Sequence, residues 1–376
     1  MGYVAVKGGT EAIENACRLF AFEHMKGDSA PLKIQQIHEQ LFLLVDRVMG
    51  EGALYAPDLA ALAIKQAAGD TLEAAFLLRA YRTTMPRIGY TIPCTTEKMR
   101  IIRRISAAFK DIPGGQILGP TSDYTLRLLD FDLIDESVQE SAAFKRALTG
   151  TLSQDATLPD TFPKIIDILR QEGLLVETKK TPIPHEEKSS SIVDITREAL
   201  TFPAHRSASL QSLARGETGG LLLLAYSSMR GYGNVHPTIG ELRVGYLPVM
   251  IRHPYKGEAH LVGEVKVTEA EVIARYDDAG GKPRFTLGYG LCFGQNEIKA
   301  ISMAILDRAM QAAEPQSPCE DQEFVLSHID GIESMGFCNH WKLPHYVDFQ
   351  SDLDRLRKAQ TIHETQKLDT PKTPSE

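Results

Sequence analysis

Phe285-Thr286-Leu287-Gly288-Tyr289-Gly290-Leu291-Cys292-Phe293-Gly294 decides the fold, because this glycine-rich run reads as a strand that hands over at once to a helix, Asn296 to Met310. In that helix Ile298, Ile301, Ile305 and Ala309 make one apolar stripe, the spacing of a face laid on a core. Working backwards, period-two alternation recurs in Val262-Gly263-Glu264-Val265-Lys266-Val267 and in Glu241-Leu242-Arg243-Val244-Gly245-Tyr246-Leu247. Three successive strands and a helix make an α+β domain with an antiparallel sheet and flanking helices. A helical stretch from Ser207 to Ser228 precedes it.

Further back the pattern is helical. Ile13, Cys17, Leu19, Phe20 and Phe22 form a first stripe, and Ile34 to Val48 a second that ends at Gly50-Glu51-Gly52. Pro57 suits the first turn of a third helix, and Gly69-Asp70 separates it from a fourth, Thr71 to Tyr81. The chain therefore divides into a mainly helical domain over 1–105, glycine-rich loops and a variable linker over 106–200, an α+β core over 201–350 and a polar tail over 351–376. The tail's last residues, Thr361 to Glu376, are polar enough to read as disordered.

Composition bounds the function. The chain has 376 residues, 43% of them hydrophobic and 24% charged, an ordinary globular balance. No apolar run approaches the roughly 20 residues that span a bilayer, and the first residues lack a signal peptide's apolar segment, so a cytoplasmic protein is expected. A net charge of -8 argues against a surface that tracks nucleic acid but allows a local basic pocket. Arg100, Arg103 and Arg104 form a local basic cluster, suited either to a phosphate-rich ligand or to carboxylate pairing. Five scattered cysteines with no C-x-x-C provide neither a disulfide framework nor an iron-sulfur motif.

Several loops have the composition of ligand sites. Lys7-Gly8-Gly9-Thr10 leads into a helix and offers amides for an anion or simply a cap. Lys110-Asp111-Ile112-Pro113-Gly114-Gly115-Gln116 and Leu118-Gly119-Pro120-Thr121-Ser122-Asp123-Tyr124 combine glycines with charged residues, as ligand loops and structural turns both do. In Arg230-Gly231-Tyr232-Gly233, arginine suits phosphate and tyrosine can stack on a purine; a tight turn explains the run equally well. Finally, Gly336 to Gln350 holds His340, His345, Trp341 and Pro344 and reads as neither a good helix nor a good strand. Five residues apart, the histidines would lie roughly 140° around a straight helix. Pro344 breaks such a helix, and in an irregular segment the imidazoles can converge as half of a zinc site, or remain ordinary loop histidines.

Taken in order, Ala63-Ile64-Lys65-Gln66-Ala67, Phe76 to Thr84, Lys110 to Gln116, Leu118-Gly119-Pro120-Thr121, Arg230-Gly231-Tyr232-Gly233, Gly288 to Gly294 and Lys342 to Gln350 make the chain resemble the PhnI family. These are the I subunits of the bacterial carbon-phosphorus lyase core complex. The resemblance spans nearly the whole chain outside the 131–200 region and the tail. It implies an enzyme that works with subunits PhnG, PhnH and PhnL to exchange the adenine of ATP for an alkylphosphonate, giving ribose 1-phosphonate 5-triphosphate. Alone, such a subunit would be a purine nucleoside triphosphate nucleosidase. It implies, too, that His340 and His345 bind zinc facing PhnJ, the radical iron-sulfur subunit, with PhnK a further partner. A scaffold whose catalytic site is shared with its partners is the alternative.

The implied chemistry nominates residues. Displacing a base at C1′ puts positive charge on the sugar, so a carboxylate is needed there and cations are needed for three phosphates. Asp111 and Asp123 are the candidate carboxylates. Lys7, Lys110, Arg127 and Arg230 are candidates for the triphosphate, with Tyr232 for the base.

Overall fold

A computed structural model describes residues 9–151, 159, 161–176, 192–230, 236–276 and 281–368. Its contacts separate two compact units, Leu32–Gly331 and a second that combines the beginning of the chain up to Pro31 with its end from Ile332.

The larger unit opens with α-helices numbered here from α2, since α1 (Thr10–Met25) belongs to the other unit. Helices α2 (Ile34–Gln40), α3 (Phe42–Gly52), α4 (Pro57–Gln66) and α5 (Thr71–Thr84) pack around Val45, Val48, Met49, Ala60, Ile64 and Leu78. The single helix expected from Ile34 onward is two, because Leu41 leaves helical geometry at φ −110°, ψ 37°. Pro57 starts α4, and the Asp70 side chain caps α5 by accepting from Leu72 N and Glu73 N.

The sheet has four antiparallel strands in the order β1 (Arg100–Ile105), β2 (Thr238–Arg252), β3 (Ala259–Tyr276) and β4 (Arg284–Phe293). Three follow the alternation; β1 lies where the sequence read as a basic cluster. Between β1 and β2 run α6 (Val138–Thr151), α7 (Ile165–Gln171), α8 (Arg206–Arg215) and α9 (Thr218–Arg230). The helical stretch expected over 207–228 breaks at Gly216, whose ψ of 153° is extended. After β4 come α10 (Glu297–Ala309) and α11 (Gln322–His328).

Residues on a strand alternate between faces, so each face can be assigned. Leu242, Ala270, Val272 and Cys292 form one buried cluster with Ala300, Met303 and Ala304 of α10 and with Leu213 and Leu221 of α8 and α9. Gly288 and Gly290 explain how α10 comes so close. A Cβ at Gly288 would sit 1.9 Å from the Ala304 carbonyl oxygen, and one at Gly290 2.1 Å from that of Ala300. The opposite face lies against Phe162 and α7: Phe162 packs with Met99, Ile101, Leu247 and Val267, and Ile166 and Leu169 with Ile273.

Contacts run across the sequence boundary at 105. Gln295 N donates to Asp46 Oδ2 (2.9 Å) and Asn296 Nδ2 to the Asp46 carbonyl (2.9 Å), tying α3 to the β4–α10 turn. Gly294 makes that approach possible: its φ is +76°, and a Cβ there would lie 2.4 Å from Asp46 Cβ. Arg79 pairs with Asp330 at 2.7 Å, and Glu51 Oε1 accepts from Thr218 N and Oγ1, so α5 and α3 are bound to the α9 and α11 region as well.

In the second unit, α12 (Gly331–His340) and α13 (Tyr346–Leu368) flank a five-residue break. This corrects two expectations. The histidine segment is helical on both sides of the break, and the polar tail is helical through Leu368. Polarity here marks a solvated helix: Leu, Arg, Lys, Ala, Gln and Glu are good helix formers, and Arg355–Asp352 and Arg357–Asp354 pair one turn apart.

Candidate functional site

The helix corner holds the two imidazoles together. His340 ends α12, Pro344 stands within the break, and His345 immediately precedes α13, so the rings meet with centroids 5.1 Å apart at 65°. Trp341 stacks on His345 at 5.2 Å and lies 4.8 Å from His340, fixing both. The Nδ1 atoms of His340 and His345 lie 2.6 Å from the carbonyls of Phe337 and Leu343. A carbonyl only accepts, so each Nδ1 carries the hydrogen, and in the neutral ring the lone pair is then on Nε2. That is the tautomer of a metal-ligating histidine with its outer nitrogen held by backbone. Among the described residues no group of three or more His, Cys, Asp and Glu side chains gathers to hold an ion. The donor set fits a zinc half-site: two neutral nitrogens, with further ligands to come from elsewhere. His328 is a helix-end residue, its Nδ1 bonded to the Phe324 carbonyl at 2.6 Å.

The loop residues named from sequence fall into separate places. Asp123 accepts from Arg103 Nη2 and pairs with Arg127 at 3.5 Å, so two of them meet. Arg103 is fully buried and also bonds Glu297 (3.1 Å) and the Leu118 carbonyl, which makes Asp123 part of an anchor for its loop. Lys110 and Asp111 are exposed in another turn, where Gln116 Nε2 donates to the Lys110 carbonyl at 2.9 Å. Asp111 makes no hydrogen bond or ion pair among the described residues. Arg230 is exposed at the end of α9, and Lys7 and Tyr232 lie outside the described residues.

Sequence reading missed the largest concentration of charge, which is buried on the α7 face of the sheet. Glu241 Oε1 accepts from Arg104 Nε (2.5 Å) and Arg243 Nε (2.8 Å), while its Oε2 accepts from Ile165 N (3.1 Å). Arg104 and Arg243 reach on to the Pro163 and Phe162 carbonyls. Lys164 bridges Glu269 (2.6 Å) and Glu271 (2.9 Å), and Glu269 Oε1 also accepts from Thr96 Oγ1 and the Tyr289 hydroxyl. Arg243 Nη1 and Glu269 Oε2 have no hydrogen-bond partner among the described residues. Burial pushes the Glu271 carboxyl up to about 7 against the pull of Lys164. Burial by itself lowers the Lys164 ammonium, yet Glu271 and Glu269 hold it above its ordinary value. The Tyr289 phenol is raised well above its usual range by burial and by Glu269 beside it. The signal was present as charged residues two apart on neighbouring strands, Glu241 and Arg243 on β2 and Glu269 and Glu271 on β3.

These features define an α+β protein that keeps an ion-pair network inside its sheet packing and carries a two-imidazole corner with open coordination. The chain belongs to the PhnI family of bacterial phosphonate metabolism proteins, whose profile matches residues 2–363. It is 56% identical over 367 residues to a putative C-P lyase subunit protein, HtxH, of Stutzerimonas stutzeri, covering 96% of each chain. It is 47% identical to the alpha-D-ribose 1-methylphosphonate 5-triphosphate synthase subunits PhnI of Rhizobium meliloti (strain 1021), over 96% of each chain, and of Escherichia coli (strain K12), over 95% of this chain and 98% of that one. No helix among the described residues is long and apolar enough to cross a membrane.

Proposed function

We propose that this chain is the nucleosidase and ribosyltransferase subunit of a carbon-phosphorus lyase system: it displaces the adenine of ATP with an alkylphosphonate, forming ribose 1-phosphonate 5-triphosphate in the cytoplasm. The observation that supports this most directly is 47% identity across at least 95% of the chain to two proteins named as synthase subunits for that product type. In the reaction the C1′–N9 bond breaks, its electron pair leaves with the purine, and a phosphonate oxygen bonds to C1′. The phosphonate is already anionic, so little help from a general base is required, and the main demand on the protein is to stabilise charge on the sugar and triphosphate. Subunits G, H and L act with it, and J meets it at the imidazole corner, with K a further partner. Zinc bound at His340 and His345 would supply a Lewis-acidic centre; the chain's own part is to present two Nε2 lone pairs already oriented by their Nδ1–H bonds.

Adenine release measures the first half of the proposal. Purified chain, alone and mixed with G, H and L, is incubated with ATP, with and without methylphosphonate, and adenine is quantified. Release in either sample is the expected result, and release only in the mixture places the site across subunits. No adenine from either would overturn the enzymatic reading. For the metal, the His340→Ala/His345→Ala variant in the assembled complex should lose its bound zinc, and unchanged zinc content would refute the assignment.

A further inference from the structure

Within the larger unit, α2 and α3 stand beside the sheet and leave a cleft of about 170 Å³ lined by His38, Phe42, Asp46, Tyr55, Tyr246 and Lys266, among others. Tyr246 and Lys266 are directly paired across β2 and β3, and Arg100 is paired to Tyr246 from β1. The guanidinium of Arg100 lies 4.4 Å from the Tyr246 ring centroid, and the Lys266 ammonium 5.7 Å from that of Phe42. Aromatic surface thus lies on the strand side and on the helix side. Asp46 is nearly fully buried, and its bonds from Gln295 N (2.9 Å) and Lys266 (2.7 Å) both end on Oδ2. Asp46 is itself one of the residues that line the cleft. On the rim, His38 Nδ1 is 2.8 Å from Asp58 Oδ1.

We propose that this cleft is the purine subsite of the chain, taking the flat base of a nucleoside triphosphate between Phe42, Tyr55 and Tyr246. The proposal rests on the adenine-displacing reading above and gives that reading a place. Size, faces and polarity argue for such a ligand. An engineered cavity of ~150 Å³ admits a benzene ring, so a cleft of this volume, open at one side, accepts a planar heterocycle but no triphosphate. Flat electron-rich rings with cations beside two of them, Tyr246 and Phe42, favour a stacked aromatic base over an alkyl chain. A carboxylate in the wall suits an exocyclic amino group, and the Lys266 ammonium suits a ring nitrogen. Arg100, 61% exposed at its side chain beside Tyr246, is paired with Glu264 at 2.7 Å and would exchange that carboxylate for phosphates projecting from the mouth. The position also accounts for the Gly294 turn, which lets Asp46 approach the sheet end closely enough to form the wall.

Photolabelling of the unaltered full chain with 8-azido-ATP, followed by peptide mapping, needs no variant to fold. Label within residues 38–57 or 246–266, competed by ATP but not by tripolyphosphate, is the expected result; label confined to other segments overturns the proposal. In a second measurement, the fluorescent 2-aminopurine riboside triphosphate is titrated into wild type, Phe42→Ala and Tyr246→Ala. The variants should bind at least tenfold more weakly while retaining the wild-type circular dichroism, with tripolyphosphate affinity unchanged. Equal affinity in folded variants would refute the subsite. The two readings fail separately. Normal adenine release with unchanged KM in both variants removes the cleft and leaves the activity, whereas no release by any subunit mixture, with weakened nucleotide binding in the variants, removes the activity and leaves the cleft as a base-binding site.

Discussion

On the α10 face of the sheet, Leu242, Ala270, Val272 and Cys292 lie under Ala300, Met303 and Ala304, whereas on the α7 face Arg104, Glu241, Arg243, Glu269 and Glu271 lie under Phe162, Lys164 and Ile165. All five of the charged side chains are as inaccessible as the apolar ones. Burial of the first set is favourable in itself, at roughly 25 cal/mol per Å² of apolar surface. Burial of the second is unfavourable until every charge finds a partner, and then its net worth is small. The two faces therefore tolerate opposite changes. At Gly288 and Gly290 the α10 face has no room for a further methyl group, whereas the α7 face, where five buried charges lie together, is sensitive to the loss of any one of them.

The largest effect should come from Glu241, which serves three donors at once. Glu241→Ala leaves the Arg104 and Arg243 guanidinium groups short of their shared carboxylate and Ile165 N without its acceptor. Breaking a buried pair in this way costs about 3–5 kcal/mol. Urea unfolding followed by circular dichroism would read it as a lowered midpoint. A loss under about 1 kcal/mol would mean that water reaches this face, and the contrast between the faces would collapse.

Why one face was legible in the sequence and the other was not follows from the same contrast. Of the apolar stripe expected at helical spacing, Ile305 and Ala309 are buried, Ile301 is partly buried and Ile298 is exposed, while Gly288-Tyr289-Gly290 announces a strand that something approaches closely. Alternating Glu241 and Arg243 look the same whether the face is wet or covered. What covers them is Phe162, whose carbonyl accepts from Arg243 across 81 positions of sequence, and no local pattern encodes such a partner. Strand β1 was hidden for the same reason: Arg100-Ile101-Ile102-Arg103-Arg104-Ile105 reads as a basic cluster until Glu241, Glu297 and Asp123 are brought to it. The imidazole corner was legible as a pair because both histidines and the helix-breaking proline are local. The cleft was not, since Phe42 and Tyr246 are brought together only by the fold.

On the α10 face the sharper test is volume. Gly288→Ala sets a methyl group 1.9 Å from the Ala304 carbonyl oxygen, and that oxygen belongs to helix backbone, which moves only if α10 moves. Overpacking of this kind costs about 1–3 kcal/mol, less than Glu241→Ala. A variant with wild-type stability would show that α10 is free to lift from the sheet. Such a result would make the apolar face the more tolerant one.

The last effect concerns pH and separates the faces by where they titrate. Glu271 on the α7 face has its carboxyl raised to about 7 by burial, from an ordinary 4.5. Asp307, on α10, is raised to about 6 from 3.8, again by burial, with Arg206 and the Tyr289 amide pulling the other way. A raised carboxyl has the folded state holding a proton that the unfolded state has already released. Each group thus lowers stability as pH rises between its unfolded and folded values, over 4.5 to about 7 for Glu271 and over 3.8 to about 6 for Asp307. Glu271→Gln cannot titrate, so wild-type stability minus that of the variant should fall across the higher window and be flat on either side of it. Asp307→Asn should show the same fall displaced to lower pH. Urea midpoints between about pH 4 and pH 8 measure both differences. A flat difference for Glu271→Gln would mean that Lys164 keeps that carboxylate ionised throughout, and the network would then be held by full ion pairs alone. Coincident windows would mean that the two sides of the sheet impose the same electrostatic cost, leaving volume as the only property that distinguishes them.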